Sequence, residues 1–546
     1  MRDQAPIFRF NSQRPNLVSQ TTDRVVETTD DPLHALNDAA YHESRRLDGS
    51  RRPKDIEKLE QWRNLARQLG KMSPSDRMSK VRELAGEHAE DTAGNFNPSV
   101  FRITTRLLPT VVTSLLAPRT LPSLLKEPSR LLGLQALAAK VHVQGDTEAL
   151  RKLAEIGTLV FVPTHSSNLD SIVFGFALEH SGLPPATYGA GKNLFANPLL
   201  SFFMHNLGAY KVDRRLRHDL YKSCLKAYST VLMENGYHSL FFPGGTRSRS
   251  GAVEQKLKLG LVGTGIEAYT RTLIAGRERK VFFVPATINY LITLEAETLI
   301  GDYLTEAGKA RYIIDDDEST RLGRITTFVR KLLTMNGSVV IRFGKPLDPF
   351  GSVVDSGGIS HDRRGREVTT SSYVEDRNGK VCFNPAREAQ YCRELGREIA
   401  AAYRHESVIM PTHTVAAACF AHLSQQAPSS DLFTVLRHRD QTVSRDDLAR
   451  EVLRLRDELI DREKSGQVVV SDSMRACSGG DIVAQAMRAF RGYHTAPVIE
   501  PRPDGIGLHD TNLLYYYQNR LAAHGLGWSA QAGAGAPAAG TTGRQP

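Results

Sequence analysis

The sequence predicts an α/β protein: a core with a mostly buried mixed sheet flanked by helices, and helical regions before and after it. Three observations carry that expectation. Between Val141 and Gly344, short β-branched or aromatic runs alternate with longer stretches of helical period. Those runs are almost continuously apolar, as strands covered on both faces are. Outside that interval, apolar residues recur at spacings of three and four, the period of a helix with one buried stripe.

The elements follow in chain order. Residues 1–50 are polar and are expected to be loosely ordered. Residues 51–134 read as an N-terminal helical region. Ile56, Leu59, Trp62, Leu65 and Leu69 keep the helical period, Ser73 to Asp76 marks a break and a new N-cap, and Met78, Val81 and Leu84 resume the stripe. Residues 135–350 form the expected α/β domain. Its strands are VHVQG (141–145), TLVFVP (158–163), SLFFP (239–243), KVFFVP (280–285) and SVVIRFG (338–344), with a further one ahead of Arg214. Asn197-Pro198 offers an N-cap followed by proline at the first helical position. Leu220, Cys224, Leu225, Tyr228, Val231 and Leu232 make a stripe closed by Asn235-Gly236. Residues 351–385 are rich in Gly, Ser and charge and read as a polar linker or excursion. Residues 386–526 turn helical again. There the charge-free run Ser407 to Gln426 reads as a buried helix, and Ser444 with Asp447 resembles a capping box. The tail 527–546 is low in complexity and expected to be disordered. No internal repeat is apparent.

Composition bounds the function. The chain has 546 residues, 40% hydrophobic and 24% charged, which suits a globular protein and argues against global disorder or a polytopic membrane protein. Lys+Arg 70 against Asp+Glu 60 gives a net charge of +10, which favours anionic partners. Cys224, Cys382, Cys392, Cys419 and Cys477 are odd in number and nowhere spaced as CxxC. A disulfide framework or zinc ribbon is therefore not expected, and a reducing compartment is the simplest reading. The first residues have no apolar core of a secretory signal. The apolar run at 107–125 is broken by Pro109, Pro118, Arg119 and Pro122, which suits a dip into a membrane interface rather than a span.

Four stretches could carry chemistry. In VPTHSSNLDS (162–171), His165 and Asp170 stand five residues apart where a strand turns into a helix. A carboxylate folded back onto the imidazole fixes its tautomer and leaves the other nitrogen as a general base. FFPGGTRSRSG (241–251) sets Gly244 and Gly245 ahead of Thr246, Arg247, Ser248 and Arg249. Glycine lets backbone approach an anion and arginine offers a planar fork of donors, so this is a candidate phosphate cradle. It lacks the ending of a P-loop. NLGAYKVDRR (206–215) places Arg214 and Arg215 after a strand, and VFFVPATINY ends a strand at Pro285. Taken singly, each admits a plain alternative: a helix N-cap, a basic surface turn, a solvated arginine pair, a strand terminus.

Taken in order, these stretches resemble a known family. His-x4-Asp at 165–170, GAYKVDR at 208–214, FPGGTRS at 242–248 and VP at 284–285 resemble the four blocks of the glycerolipid acyltransferase superfamily. GAGKNLFANP (189–198) and LKLG (257–260) sit where that superfamily has comparable segments, while THSSNLD, GAGKNL, LGAY and GGTRSRSG, with HESVIMPTHTVAAACFAHL (405–423) and NLLYYYQNRL (512–521), resemble more narrowly the glycerol-3-phosphate and dihydroxyacetone-phosphate acyltransferases. The resemblance covers 135–350 well and 390–525 loosely, and none is found for the first hundred residues. It implies acyl transfer from a thioester, acyl-CoA or acyl-acyl-carrier protein, to glycerol 3-phosphate. It also implies His165 as base, Asp170 as its orienter, and Arg214, Arg247, Arg249, Lys192 and Lys258 as candidates for the acceptor phosphate. Gly208, Gly244, Gly245, Thr246, Ser248 and Pro285 are its motif positions. Dihydroxyacetone phosphate or a lysophosphatidate as acceptor, or a lipid- or acyl-donor-binding protein with impaired turnover, are the alternatives.

No cofactor is implied, no metal-ligand motif is present, and no nucleic-acid motif appears. A peripheral or monotopic position on the cytoplasmic side of an anionic membrane fits the charge. One position departs from the family pattern, which carries Glu where this chain has Gly244. A carboxylate beside Arg247 would hold the guanidinium in one orientation, so the sequence predicts that Gly244→Glu raises kcat.

Overall fold

The central sheet is built from β1 (Val141–Gln144), β2 (Gly157–Pro163), β3 (Thr187–Gly191), β4 (Ala209–Val212), β5 (Ser239–Leu240), β6 (Lys280–Tyr290) and β7 (Val339–Phe343). The structure, a computed structural model, describes residues 5–102, 141–192, 195, 198–307, 339–427, 431–438, 440–491 and 493–528. The strands lie in the order β1-β7-β6-β2-β5-β3-β4. Each neighbouring pair is parallel except β6 with β7. The sheet is mixed and helices flank it, as the sequence predicts.

Burial explains why β2 reads as one unbroken apolar run: every residue from Gly157 to Pro163 is buried. Side chains alternate across a strand, so its two faces feed two cores. Leu159 and Phe161 join Phe174 and Ala177 of the helix Asp170–His180. Val160 and Val162 join Val262 and Ile266 of the helix Val262–Ile274, with Leu395 and Ile399 of the helix Pro385–Glu406. The stripe from Leu220 to Leu232 lies on the helix Asp219–Glu234, and Gly236, at φ +82°, ends it in the left-handed conformation.

Several elements differ from expectation. Residues 10–47 are ordered as two helices, Phe10–Glu27 and Pro32–Leu47. Their stripes are narrow in a polar sequence, and only packing reveals them: Val25 and Leu36 are buried with Val81, Leu84, Leu220 and Cys224. In the helical region after residue 50, Ser73 and Asp76 form a reciprocal capping box on the helix Pro74–Thr92. The strand β3 has the sequence TYGAG, whose glycines hide its character, and β5 keeps only Ser239 and Leu240 of the predicted SLFFP. The strand β6 runs on five residues past Pro285, whose carbonyl still accepts from Gly344 N–H at 2.8 Å. Asn197, the apolar run 107–125 and the tail from 529 lie outside the described residues.

The segment 351–385 is no featureless linker. It carries β8 (Val353–Val354), β9 (Ser360–His361) and β10 (Glu367–Val368), paired as an antiparallel sheet. A repeated turn, Asp-x-x-Gly, begins at Asp348, Asp355, Asp362 and Asp376. In each, the Asp carboxylate accepts the N–H groups two and four residues on. In each, the glycine has positive φ: +94°, +79°, +78° and +75° for Gly351, Gly358, Gly365 and Gly379. Short polar side chains that bond their own backbone make turns out of a composition that otherwise reads as linker.

In the C-terminal region, a short strand Val408–Ile409 precedes the buried helix Pro411–Gln426, and Ser444 caps the helix Arg445–Lys464. The helix Thr511–Ala522 packs on Pro411–Gln426 and reaches the segments that follow β2, β5 and β6. Carboxyl ends of parallel strands are where ligand sites of open sheets form.

Glycine substitutions separate backbone strain from packing. Gly365→Ala meets nothing within 4 Å and carries only the left-handed penalty, about 1–2 kcal/mol. Gly251→Ala has the same kind of φ, +77°, but its Cβ would stand 2.2 Å from Tyr516 O on the C-terminal helix. Calorimetry is expected to show the larger fall in unfolding temperature for Gly251→Ala.

Candidate active site

The strand β2 ends at Pro163, and Thr164 ties the following turn to β6. Its N–H donates to Ala286 O at 3.0 Å and its Oγ1 accepts from Ile288 N–H at 3.0 Å. The chain then turns through His165 and enters the helix at Asp170. Asp170 is fully buried, and four donors meet its carboxylate. Oδ2 accepts from His165 Nδ1 at 2.8 Å, Ser166 N–H at 2.6 Å and Ser167 N–H at 2.9 Å. Oδ1 accepts from Tyr290 OH at 2.7 Å. The first turn of a helix also favours a negative charge. Burial, then the charge of Asp170, hold the Tyr290 hydroxyl well above its usual pKa, so it stays a donor.

His165 is held on its other side by an aromatic stack. Its ring lies 4.2 Å from that of Phe242 at an interplanar angle of 22°. With Nδ1 donating to Asp170, Nε2 is the basic nitrogen. The side chain keeps 16% of its exposure, so a substrate can reach it.

The structure divides the five candidate phosphate residues. Arg247 lies 3.4 Å from Glu295, a fully buried carboxylate that also accepts from Asn168 N–H at 3.0 Å. Glu295 therefore links Arg247 to the His165 turn. Desolvation, then the charge of Arg247, lower the pKa of Arg214. A bound anion would offset that like-charge repulsion. Arg249 instead pairs with Glu306 at 2.7 Å. Lys192 pairs with Asp91 at 2.7 Å and reaches Asp213 at 3.7 Å. Lys258 lies across Gly245, where a Cβ would come within 2.4 Å of its Cδ. The geometry thus turns Arg249 and Lys192 to carboxylates, whereas Arg214 feels the charge of Arg247.

The motif positions mostly shape backbone. Gly245 is left-handed at φ +74°. Gly208, at φ +86°, donates to Asn95 O at 2.8 Å and accepts from Tyr188 N–H at 3.2 Å. Ser248 Oγ donates to Ala252 O at 2.7 Å and its N–H to His165 O at 2.8 Å, closing the 242–254 loop onto the His165 turn. The carbonyl of Thr246 lies 3.4 Å from where a Cβ on Gly244 would stand.

Sequence reasoning missed Glu254, Tyr290, Glu295 and Arg520. Arg520, on the helix Thr511–Ala522, is buried and donates to Ser166 Oγ at 2.9 Å. Desolvation lowers its pKa, against the opposing charges of Tyr516, Glu254 and Asp170. Asn519 Nδ2 on the same helix donates to Ser250 O at 2.8 Å. One C-terminal helix thus braces both signature turns. No spacing rule signals a partner 354 residues away. Glu254 Oε1 accepts from His165 N–H at 3.1 Å and stands 2.5 Å from the Cβ position of Gly244. The expectation that Gly244→Glu raises kcat is corrected accordingly, because the space for that side chain already holds a carboxyl.

Once this geometry is in place, the class can be read from a comparison: residues 140–289 match the family model described as Acyltransferase. The resemblance read from the sequence blocks is borne out at that level. Among relatives, the glycerol-3-phosphate acyltransferase of Pseudomonas fluorescens (strain SBW25) is 26% identical over 300 residues, 54% of this chain and 32% of that one. The glycerol-3-phosphate acyltransferase of Haemophilus ducreyi is 30% identical over 209 residues, 38% of this chain and 24% of that one. The chain thus matches no more than about a third of the length of these relatives. The solved 1-acyl-sn-glycerophosphate acyltransferase of Thermotoga maritima is 16% identical, with 55% of this chain and 92% of that one covered and a TM-score of 0.25. At that score the likeness carries no argument.

Tyr290→Phe removes one of the four donors to Asp170. A hydrogen bond to a buried charge contributes about 1.5–3 kcal/mol. The variant is expected to keep its circular dichroism spectrum and unfold at lower temperature; an unchanged unfolding temperature would mean that the carboxylate is satisfied without it.

Proposed function

We propose that the protein is a glycerol-3-phosphate 1-O-acyltransferase, using an acyl thioester in phosphatidic acid synthesis. One observation carries the reading. The His165–Asp170 pair, 2.8 Å apart, sits at the carboxyl edge of the sheet, and Arg247 lies one residue from the N–H that bonds His165 O. A general base and an anion site thereby share one turn.

In the proposed reaction, His165 Nε2 takes the proton of the sn-1 hydroxyl as its oxygen attacks the thioester carbonyl. Asp170 holds the ring and stabilises the imidazolium that forms. The tetrahedral intermediate collapses, the C–S bond breaks, and the imidazolium returns its proton to the departing thiolate. Atoms balance with no covalent enzyme intermediate, no metal and no organic cofactor. Acyl-CoA or acyl-acyl-carrier protein is the co-substrate. Arg214 and Arg247 hold the acceptor phosphate. The names of the relatives support glycerol 3-phosphate over dihydroxyacetone phosphate or a lysophosphatidate. The alternative, a binding protein with impaired turnover, is motivated by Gly244, and the Glu254 carboxyl at that place argues for the enzyme.

The charge of +10 supports peripheral attachment to the cytoplasmic face of an anionic membrane, where a lipid product is released. Among the described residues no helix is long and apolar enough to cross a membrane.

Thiol release from palmitoyl-CoA, with and without each acceptor, tests the reaction. His165→Ala is expected to lower kcat with glycerol 3-phosphate about 10²- to 10⁴-fold in a folded protein. Wild-type turnover in that variant would sink the mechanism. Arg247→Ala and Arg214→Ala are expected to raise KM for glycerol 3-phosphate about 10- to 150-fold, the equivalent of one charge-assisted bond. A response confined to the KM for acyl-CoA would mean that the two substrates are placed the wrong way round. Flotation with anionic liposomes is expected in low salt and to weaken as salt is added. A protein that stays unbound in low salt would contradict the attachment.

A further inference from the structure

Glu254 belongs to no motif read from the sequence, yet it touches the residue on which the chemistry turns. The main chain of His165 has two polar groups, and neither bonds within the sheet. Its carbonyl accepts from Ser248 N–H at 2.8 Å, and its N–H donates to Glu254 Oε1 at 3.1 Å. The side chain is fixed by Asp170 and Phe242. Glu254 is therefore one of four restraints on a single histidine, and its bond is to the peptide that sets where the ring begins.

The same carboxyl explains the glycine at 244. A Cβ there would stand 2.5 Å from Glu254 Oε1 and 2.9 Å from its Cδ. Gly244 is outside the left-handed region, unlike Gly245, so its backbone does not require glycine. What excludes a side chain is the carboxyl that arrives from ten residues downstream.

The charge state fits a group held in place at a cost. Burial pushes the Glu254 carboxyl up to about 8, against the pull of His165 N–H and Arg520, with Asp170 pushing the same way as burial. That direction favours the protonated acid, which adds no further negative charge beside Asp170. Its Oε2 is enclosed and has no hydrogen-bond partner among the described residues. A buried carboxyl left half satisfied is expensive and is retained where it has work outside folding.

We propose that Glu254 is the carboxyl of this site, a positioning residue that sets the His165 backbone from position 254, and that Gly244 is glycine because this carboxyl fills its side-chain space. Positions 244 and 254 are then alternative origins of one carboxyl. The inference rests on the acyltransferase reading for its kinetic arm and on geometry alone for its stability arm.

The test is a double-mutant cycle on the full chain with Gly244→Glu, Glu254→Ala and their combination, plus Glu254→Gln. Misplacing a catalytic group is expected to lower kcat about 10- to 100-fold, in Glu254→Ala and in Gly244→Glu alike. The double variant is expected to be faster than either single one, an interaction that independent sites do not show. Glu254→Gln, which keeps the Oε1 acceptor and the neutral charge, is expected to retain most of the turnover. A merely structural role would not separate Gln from Ala in kcat at equal unfolding temperature. Unfolding temperatures of the four proteins form a second cycle: Gly244→Glu is expected to lower the value and Glu254→Ala to relieve that loss. The proposal is overturned if the double variant is as slow as the product of the single effects, if Gly244→Glu is wild type in both kcat and unfolding temperature, or if Glu254→Gln is as slow as Glu254→Ala. Should Glu254→Ala fail to fold, Gly244→Glu and Glu254→Gln still decide. Should the wild type transfer no acyl group to any acceptor, the functional reading fails by itself, while the unfolding cycle still judges whether the two positions compete for one space.

Discussion

A carboxylate taken out of water must find donors for its lone pairs, and Asp170 is such a group. Removing even one of the partners of a buried charge is severe, because the charge remains. Asp170 therefore dictates its surroundings. The Ser166 and Ser167 N–H groups reach it only if the chain turns tightly after β2, and Tyr290 reaches it only if β6 lies beside β2 in the observed register, Val162 opposite Pro285. His165 then has one place to put Nδ1. The imidazole is oriented by one of the four bonds that make the buried charge tolerable, so stability and ring orientation have a common origin here.

The second tier of the site joins segments far apart in the chain. Glu295, just past the end of β6, ties Asn168 N–H to Arg247, and Ser248 N–H ties the glycine-rich loop back to His165. Behind both turns stands the helix Thr511–Ala522, with Arg520 on Ser166, Asn519 on Ser250 and the Tyr516 carbonyl against Gly251. The C-terminal region is thus part of the architecture of both signature turns and not an appendage to it. Its buried guanidinium also supplies a positive charge near the enclosed carboxylate of Asp170.

Charge is apportioned unevenly around this edge. Lys192, Arg215 and Arg249 are matched to Asp91, Asp213 and Glu306. Arg247 has the buried Glu295 beside it, and Arg214 feels the charge of Arg247. Surface ion pairs of the first kind contribute little to stability. Their effect here is to neutralise three cations around this edge.

Much of this protein is legible in its residues because the signals are local. Apolar runs with no alternation predict strands buried on both faces, and β2 and β6 are such strands. A stripe ended by Asn235-Gly236 predicts a helix and its stop. His-x4-Asp at a strand-to-helix junction predicts a carboxylate folded onto an imidazole, since the closing contact lies within one turn. What the residues alone did not reveal is what depends on the third dimension. The narrow stripes at 10–47 become helices through their packing on Pro74–Thr92 and Asp219–Glu234. The Asp-x-x-Gly turns gain their meaning from strand pairing. The sorting of five basic candidates into neutralised ones and the rest depends on carboxylates tens or hundreds of residues away. Glycine at 244 looks like a missing group in the sequence. Only the fold places Glu254 in its space, because a side chain's neighbours are set by where distant loops come to rest and not by the order of residues along the chain.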